Sequence, residues 1–285
     1  MIMGSDHSCR VLVPIYRPLV VGDEEVSLAS IRRHLGGRGI CFVAPESLDL
    51  GGVLREGESV ERFPDHYFEG IDGYNSLLKS SLFYGRFDAF THILICQLDC
   101  LIFGDDLEVW MAKGYDYLAS PWFKMFERGD CKELWRVGNG GLSLRRVESY
   151  LRLLKQQVAK GSIYPWFGNS YCKEAYPGRK GGLYGKISSI HRLNPWARVV
   201  TVEEELARYR YNEDVFWAIE APKFDREFSV APPLEALPFA FEVAPRWCFQ
   251  KNGGKLPFGC HAWARYDRDF WNDMLTATNM NQAAN

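Results

Sequence analysis

THILICQLDCLIF, residues 91–103, decides how this chain is read. An apolar run is followed by one carboxylate, Asp99, and the chain then turns apolar again. A short continuous apolar run of this kind predicts a central strand. Leaving a polar group buried and uncompensated costs roughly 2–7 kcal/mol. Asp99 must therefore be compensated, or stand at the strand end facing a ligand. In α/β sheets ligands sit at the carboxyl ends of strands, and a carboxylate there can hold a divalent metal. The alternative is an ordinary turn or helix-capping Asp.

The flanking segments predict an α/β fold. RVLVPIY (10–16) is a first buried strand, stopped by Pro18, and ICFVAP (40–45) a second. Between them DEEVSLASIRRHL (23–35) runs acidic to basic, as a helix dipole favours, and Gly36, Gly37 and Gly39 end it. Strand, helix, strand at this spacing is a βαβ unit and implies a parallel pair. A helix is expected over 74–87, ahead of the central strand, which then ends at Asp99. After a short strand at 101–103 come a helix over 105–114, a strand over 115–122 broken by Pro121, a glycine turn feeding a strand over 139–146, and a helix over 147–160. Residues 161–200 read as an irregular inserted or mobile segment, whose basic, Tyr-rich part, 171–186, is a candidate cover for a bound ligand. A helical stretch over 202–221, interrupted near Asn212, precedes a Pro-rich region of short strands and turns, then FGCHAW (258–263) and a short polar end. No composition break marks a second domain, so one domain over 9–275 is expected.

Bulk composition bounds the function. Apolar content is 47%, charged content 25% and net charge -2, which gives no electrostatic footprint for nucleic acid. Aromatic content is 14%, with nine Trp, suited either to a dense core or to stacking on sugar faces. Eight Cys without a CxxC pair read as reduced, buried thiols. No run approaches 18 apolar residues and the amino terminus carries no signal peptide. A cytoplasmic protein is expected, with peripheral attachment at the inner face of a membrane left open.

Four further motifs carry candidate chemistry. His261 in FGCHAW either supplies an imidazole to the same ion as Asp99, since Mn²⁺ accepts mixed oxygen and nitrogen ligands, or is a hydrogen-bonded core histidine. In WRVGNGGLSLRR (135–146) the glycines allow a close ligand approach and Asn139 offers donor and acceptor to sugar hydroxyls, or the segment is a plain glycine hairpin. In YNEDVFW (211–217) Glu213 or Asp214 could be a general base, or both are first-turn acids of a helix capped by Asn212. Around the first two strands, Tyr16 could stack on a base, Arg17 could pair with phosphate, and Glu46 follows the second strand. Asn75 and Lys79 are placed four apart on one helix face, with Lys79 reaching a diphosphate.

Together these pieces resemble the uncharacterised bacterial and fungal GT-A-like glycosyltransferase domains (DUF5672-like). The resemblance runs from about Val11 to Trp263, through 74–110, LASPW, WRVGNGGLSLRR, NEDVFW and FGCHAW. It implies a GT-A-like, nucleotide-diphospho-sugar transferase fold, with a mostly parallel central sheet flanked by helices. It implies a nucleotide-diphosphate sugar donor, a Mn²⁺ or Mg²⁺ ion and a glycan or glycolipid acceptor, as in polysaccharide biosynthesis. Pro14, Tyr16, Arg17, Glu46, Asn75, Lys79, Gln97 and Leu98 would line the nucleotide side. Asp99 and His261 would hold the metal. Trp122, Asn139, Gly140, Gly141 and Trp263 would contact acceptor or sugar. Asp214 would be the base of an inverting reaction, with Glu213 as rival; retaining relatives lack such a base. GT-A enzymes usually carry Asp-any-Asp, whereas here the triplet is Gln97-Leu98-Asp99. That missing acid motivates a rival reading, a non-catalytic nucleotide-sugar or carbohydrate-binding protein. A nucleotidyltransferase would share much of the same site logic.

Overall fold

The structure is a computed structural model describing residues 8–124, 133–163 and 198–283. Most of the irregular segment expected over 161–200, including the candidate cover 171–186, lies outside the described residues.

A six-stranded sheet forms the centre, in the order β3-β2-β1-β4-β9-β6. β1 (Cys9–Pro14), β2 (Ile40–Pro45), β3 (Ser59–Phe63) and β4 (His92–Cys96) are parallel. β9 (Leu142–Arg146) runs antiparallel to β4 and to β6 (Tyr117–Ala119), which makes the sheet mixed. Val11 faces Ile40 on one side and Leu94 on the other, so β1 is interior and buried, as its apolar run demands. Helices flank this sheet: α1 (Asp23–Leu35), α2 (Gly70–Leu77), α3 (Ser81–Gly85), α4 (Leu107–Ala112), α5 (Val147–Lys155) and α6 (Val202–Leu206). This is the α/β arrangement that the resemblance implied.

Smaller sheets extend it. β7 (Pro121–Phe123) pairs with β8 (Leu134–Val137), and β5 (Leu101–Ile102) joins β12 (Ala240–Phe241) and β13 (Gly259–Cys260). The β12-β13-β5 sheet sits over its own apolar cluster, which includes Leu101, Phe241, Trp263, Phe270 and Trp271.

Several boundaries depart from expectation. The helix expected over 74–87 is two, because Ser80 adopts an extended backbone and its hydroxyl accepts from the Phe83 N–H at 3.3 Å, capping α3. The central strand ends at Cys96, so Asp99 stands in a turn beyond it rather than at its last position. Residues 115–122 divide between two sheets, with the break before Pro121. α5 stops at Lys155 because Gln156 turns extended into β10 (Gln157–Ala159), which pairs with β11 (Val199–Thr201). The helical stretch after residue 202 is interrupted, as expected near Asn212, and resumes as α7 (Glu213–Val215), a π-helical turn (Phe216–Glu220) and α8 (Ala221–Phe224). The Pro-rich region holds the short helices α9 (Pro233–Ala236) and α10 (Pro245–Lys251). The polar end is a helix, α11 (Arg268–Ala283), whose Phe270 and Trp271 are buried in the second cluster.

Among the described residues no helix is long and apolar enough to cross a membrane. The described cysteines, Cys9, Cys41, Cys96, Cys100, Cys248 and Cys260, are buried and outside any disulfide.

Candidate functional site

Strand register assembles the site. β9 continues the pairing of β4 one step past Cys96, where the Gln97 N–H donates to Gly141 O at 2.8 Å. On the other side β5 begins just after Asp99, and Cys260 of β13 faces Leu101. The next residue after β13 is His261, whose N–H donates to Phe241 O at 3.0 Å. Glu242, next after β12, thereby lies beside it. Gln97, Asp99, Asn139, Gly141, Glu242 and His261 converge.

His261 is the hub. Its Nε2 lies 3.3 Å from Asp99 Oδ1 and 3.3 Å from Gln97 Oε1. Its Nδ1 lies 3.0 Å from Glu242 Oε1 and 2.8 Å from Asn139 Nδ2. Burial works against a charged imidazole, but Asp99 and Glu242 on either side outweigh it and raise the pKa to about 10. The imidazolium thus carries a proton and its positive charge between the two carboxylates. To ligate a cation through Nε2 the ring must give up that proton, so proton and cation compete for the same nitrogen. Burial alone would raise the Asp99 pKa, yet the adjoining His261 holds it below the ordinary carboxylate value. The Asp99 side chain is 48% exposed, but its Oδ1 is buried without a hydrogen bond, the 3.3 Å contact lacking hydrogen-bond geometry. The Tyr74 hydroxyl is buried against Gln97, and burial lifts its pKa well above the ordinary tyrosine value.

Gly141 forms the floor. A Cβ there would lie 2.1 Å from His261 Nε2 and 2.9 Å from Gln97 Oε1. Asn139 locks this loop: its Oδ1 accepts from the Gly141 and Leu142 N–H groups at 2.6 and 3.3 Å. These residues fit a divalent cation. A carboxylate oxygen with no hydrogen bond and an amide oxygen each lie 3.3 Å from one imidazole nitrogen, donor types suited to Mn²⁺ or Mg²⁺ with further oxygens from a diphosphate or water. Three ionisable donors of the His, Cys, Asp and Glu type are not grouped for a metal among the described residues.

Asp214 is half-buried at the start of α7. Burial first, then the Glu213 and Glu242 carboxylates, raise its pKa to about 7. Glu213 is committed elsewhere. It forms a buried bidentate pair with Arg145, at 2.9 and 2.8 Å, and Arg145 also donates to the Tyr84 hydroxyl at 2.8 Å. That removes Glu213 as a proton acceptor. Asn212 does not cap the helix with its side chain; the Glu213 N–H is instead bound by Asn75 Oδ1 at 2.8 Å.

Other expected residues stand apart from the hub. α2 ends before Lys79, so Asn75 and Lys79 do not share a helix face. Asn75 uses its oxygen on Glu213 and its nitrogen on Asn212, and the buried Lys79 donates to Tyr209 O at 2.9 Å. Both serve the interior rather than a diphosphate. Trp263 is 2% exposed and its indole N–H donates to Ser27 Oγ at 3.0 Å, which makes it core rather than sugar platform. Trp122 is half-buried and stacks on Trp135, ring centroids 6.1 Å apart. Pro14 is buried at the end of β1, and Leu98 packs on the main core. Tyr16 and Glu46 are exposed, and the exposed Arg17 pairs with Glu24. Gly140 lies under Glu213, where a Cβ would meet Oε1 at 2.5 Å.

Glu242 and Arg145 were not anticipated. Glu242 had a signal: it is the lone acid in the apolar run PFAFEVAP, the same oddity that drew attention to Asp99. Arg145 had none, since a basic residue at a strand end is usually exposed.

The chain has a likeness to several solved structures. Mouse xyloside xylosyltransferase 1 is 13% identical, with 89% of this chain and 97% of that one covered and a TM-score of 0.45. The galactosyltransferase LgtC, in complex with donor and acceptor sugar analogues, is 13% identical, with 88% and 86% covered and a TM-score of 0.44. The mannosyltransferase Ktr4p from S. cerevisiae, in complex with GDP, is 7% identical, with 82% and 69% covered and a TM-score of 0.39. At such scores these likenesses carry no conclusion about activity. No curated protein matches the sequence. Residues 58–261, most of the chain, match the family described as "Protein of unknown function (DUF5672)", and the chain belongs to that family.

Proposed function

We propose that this protein is a GT-A-like glycosyltransferase that moves a sugar from a nucleotide-diphosphate sugar to a hydroxyl of a glycan or glycolipid acceptor. The observation that carries this reading is the convergence of Asp99 Oδ1, buried without a hydrogen bond, with His261 Nε2 and Gln97 Oε1 at the carboxyl end of β4. Asp99 and His261, with the Gln97 amide, would hold Mn²⁺ or Mg²⁺. Such an ion acts as a Lewis acid on the diphosphate leaving group. Asp214, with its pKa near 7, is the base that takes the acceptor proton as the hydroxyl attacks the anomeric carbon. Inversion follows from a single displacement of that kind.

The Gln97 replacement favours a second reading, a binding protein that retains donor affinity without turnover. Calorimetry with UDP and GDP, with and without Mn²⁺, and nucleotide release from a panel of nucleotide sugars separate the two. Metal-dependent nucleotide binding with release supports the transferase. Tight donor binding without release from any donor or acceptor supports the binding protein. Absence of nucleotide binding overturns both.

A further inference from the structure

We infer that Glu242 is a positioning residue of the cation site, and that it supplies, from just beyond β12, the negative charge that Gln97 lacks. This rests on the reading of Asp99 and His261 as cation ligands. The Glu242 carboxylate reaches His261 Nδ1 with Oε1 at 3.0 Å, and its Oε2 accepts from the Ser120 hydroxyl at 3.3 Å. Both carboxylate oxygens are thus engaged, one on the imidazole and one on a buried serine. The imidazole is thereby strung between Glu242 on Nδ1 and the Asp99–Gln97 oxygens on Nε2.

A carboxylate accepting from Nδ1–H fixes the ring and leaves Nε2 as the atom that faces a cation. Asn139 cannot take this role. Its oxygen is held by the Gly141 and Leu142 N–H groups, and its nitrogen is a donor that also serves Ser120 Oγ at 3.2 Å, so Asn139 competes with Glu242 at Nδ1 and does not accept from it. Glu242 is therefore the acceptor that the structure offers on that side. The charge count explains why it matters. An Asp-any-Asp motif puts two carboxylates on one turn, but here that turn has one, and the second arrives next to β12. Negative charge at the site is conserved while its source moves to the far side of the histidine.

The test uses the full-length protein and Mn²⁺ alone, with free Mn²⁺ followed by electron paramagnetic resonance. Thermal unfolding confirms that each variant is folded. The wild type is expected to bind one Mn²⁺ per chain. Glu242→Gln is expected to weaken binding on the order of 10- to 100-fold, and Glu242→Asp to retain part of it. Gln97→Asp is expected to raise affinity more in the Glu242→Gln background than in the wild type, a non-additivity that a merely structural glutamate would not show. Glu242→Gln binding as tightly as wild type, or a gain from Gln97→Asp no larger in the Glu242→Gln background than in the wild type, overturns the inference. A wild type with no saturable Mn²⁺ binding overturns the cation reading itself, and is distinguished because the loss then precedes any mutation.

Discussion

Asp214 sits half-buried beside two further carboxylates, and its pKa rises from 3.8 to about 7. Between about pH 4 and pH 7 an unfolded chain releases this proton while the folded chain keeps it. Stability therefore falls as pH rises through that window and is level above it. Each tenfold difference in proton affinity between the two states is worth roughly 1.4 kcal/mol. Asp214→Asn removes this linkage, so its unfolding temperature is expected to match wild type near pH 4 and to exceed it at pH 8. The same variant is expected to lose about 10²- to 10⁴-fold in transfer rate. Wild-type rate should rise about tenfold per pH unit below 7 and level off above, as the carboxylate form fills. An Asn variant with full transfer activity would remove Asp214 as the base. At Asp99, Ala is expected to abolish the Mn²⁺ dependence of nucleotide affinity in calorimetry; retained dependence would displace the metal from this turn. The lone acid at Asp99 was legible in the sequence at this scale, while the same signal at Glu242 was passed over. The fates of Asn75, Lys79 and Trp263 were not legible, because spacing says nothing about which partner a polar atom finds.

The loop 138–141 and the helix start at 213 act as units. A buried Arg145–Glu213 pair joins β9 to α7, and Tyr84 of α3 joins them. Removing one partner leaves an uncompensated buried charge, so Arg145→Ala is expected to cost about 3–5 kcal/mol by urea denaturation. A loss below about 1 kcal/mol would show that water reaches Glu213. Gly141→Ala tests the floor of the site differently. Its Cβ would overlap His261 Nε2 at 2.1 Å, forcing the imidazole away. Mn²⁺ binding is expected to fall while the urea midpoint changes far less than in Arg145→Ala. Unaltered Mn²⁺ affinity would mean that the imidazole has room to move without consequence. The elements themselves were largely legible: α1 and β2 fall where charge order and apolar runs place them. The splitting of 74–87 was not, since Ser80 is compatible with a helix interior until its hydroxyl caps the next one.

On the scale of the molecule, the six-stranded sheet and the small β12-β13-β5 sheet meet at the turn carrying Asp99. The second sheet is braced by α11, whose Trp271 is fully buried and stacks on Phe103 with centroids 5.7 Å apart. Trp271→Ala is expected to cost about 3–5 kcal/mol of stability, measured by denaturant unfolding; a near-neutral result would show that α11 only covers the surface. The short polar end expected from composition hides this role, because buried Phe270 and Trp271 and half-buried Met274 and Leu275 form one stripe only once helical. By itself the sequence determined the α/β class, the βαβ start and two of the charged residues at the centre, because apolar runs, charge order and misplaced acids are local signals. Only the tertiary structure decided that His261 stands against Gln97, 164 residues away, that Glu242 completes the opposite side, and that Arg145 takes Glu213. Those contacts follow from register between strands distant in the chain. Register is set by packing of the whole sheet rather than by any stretch of residues read alone.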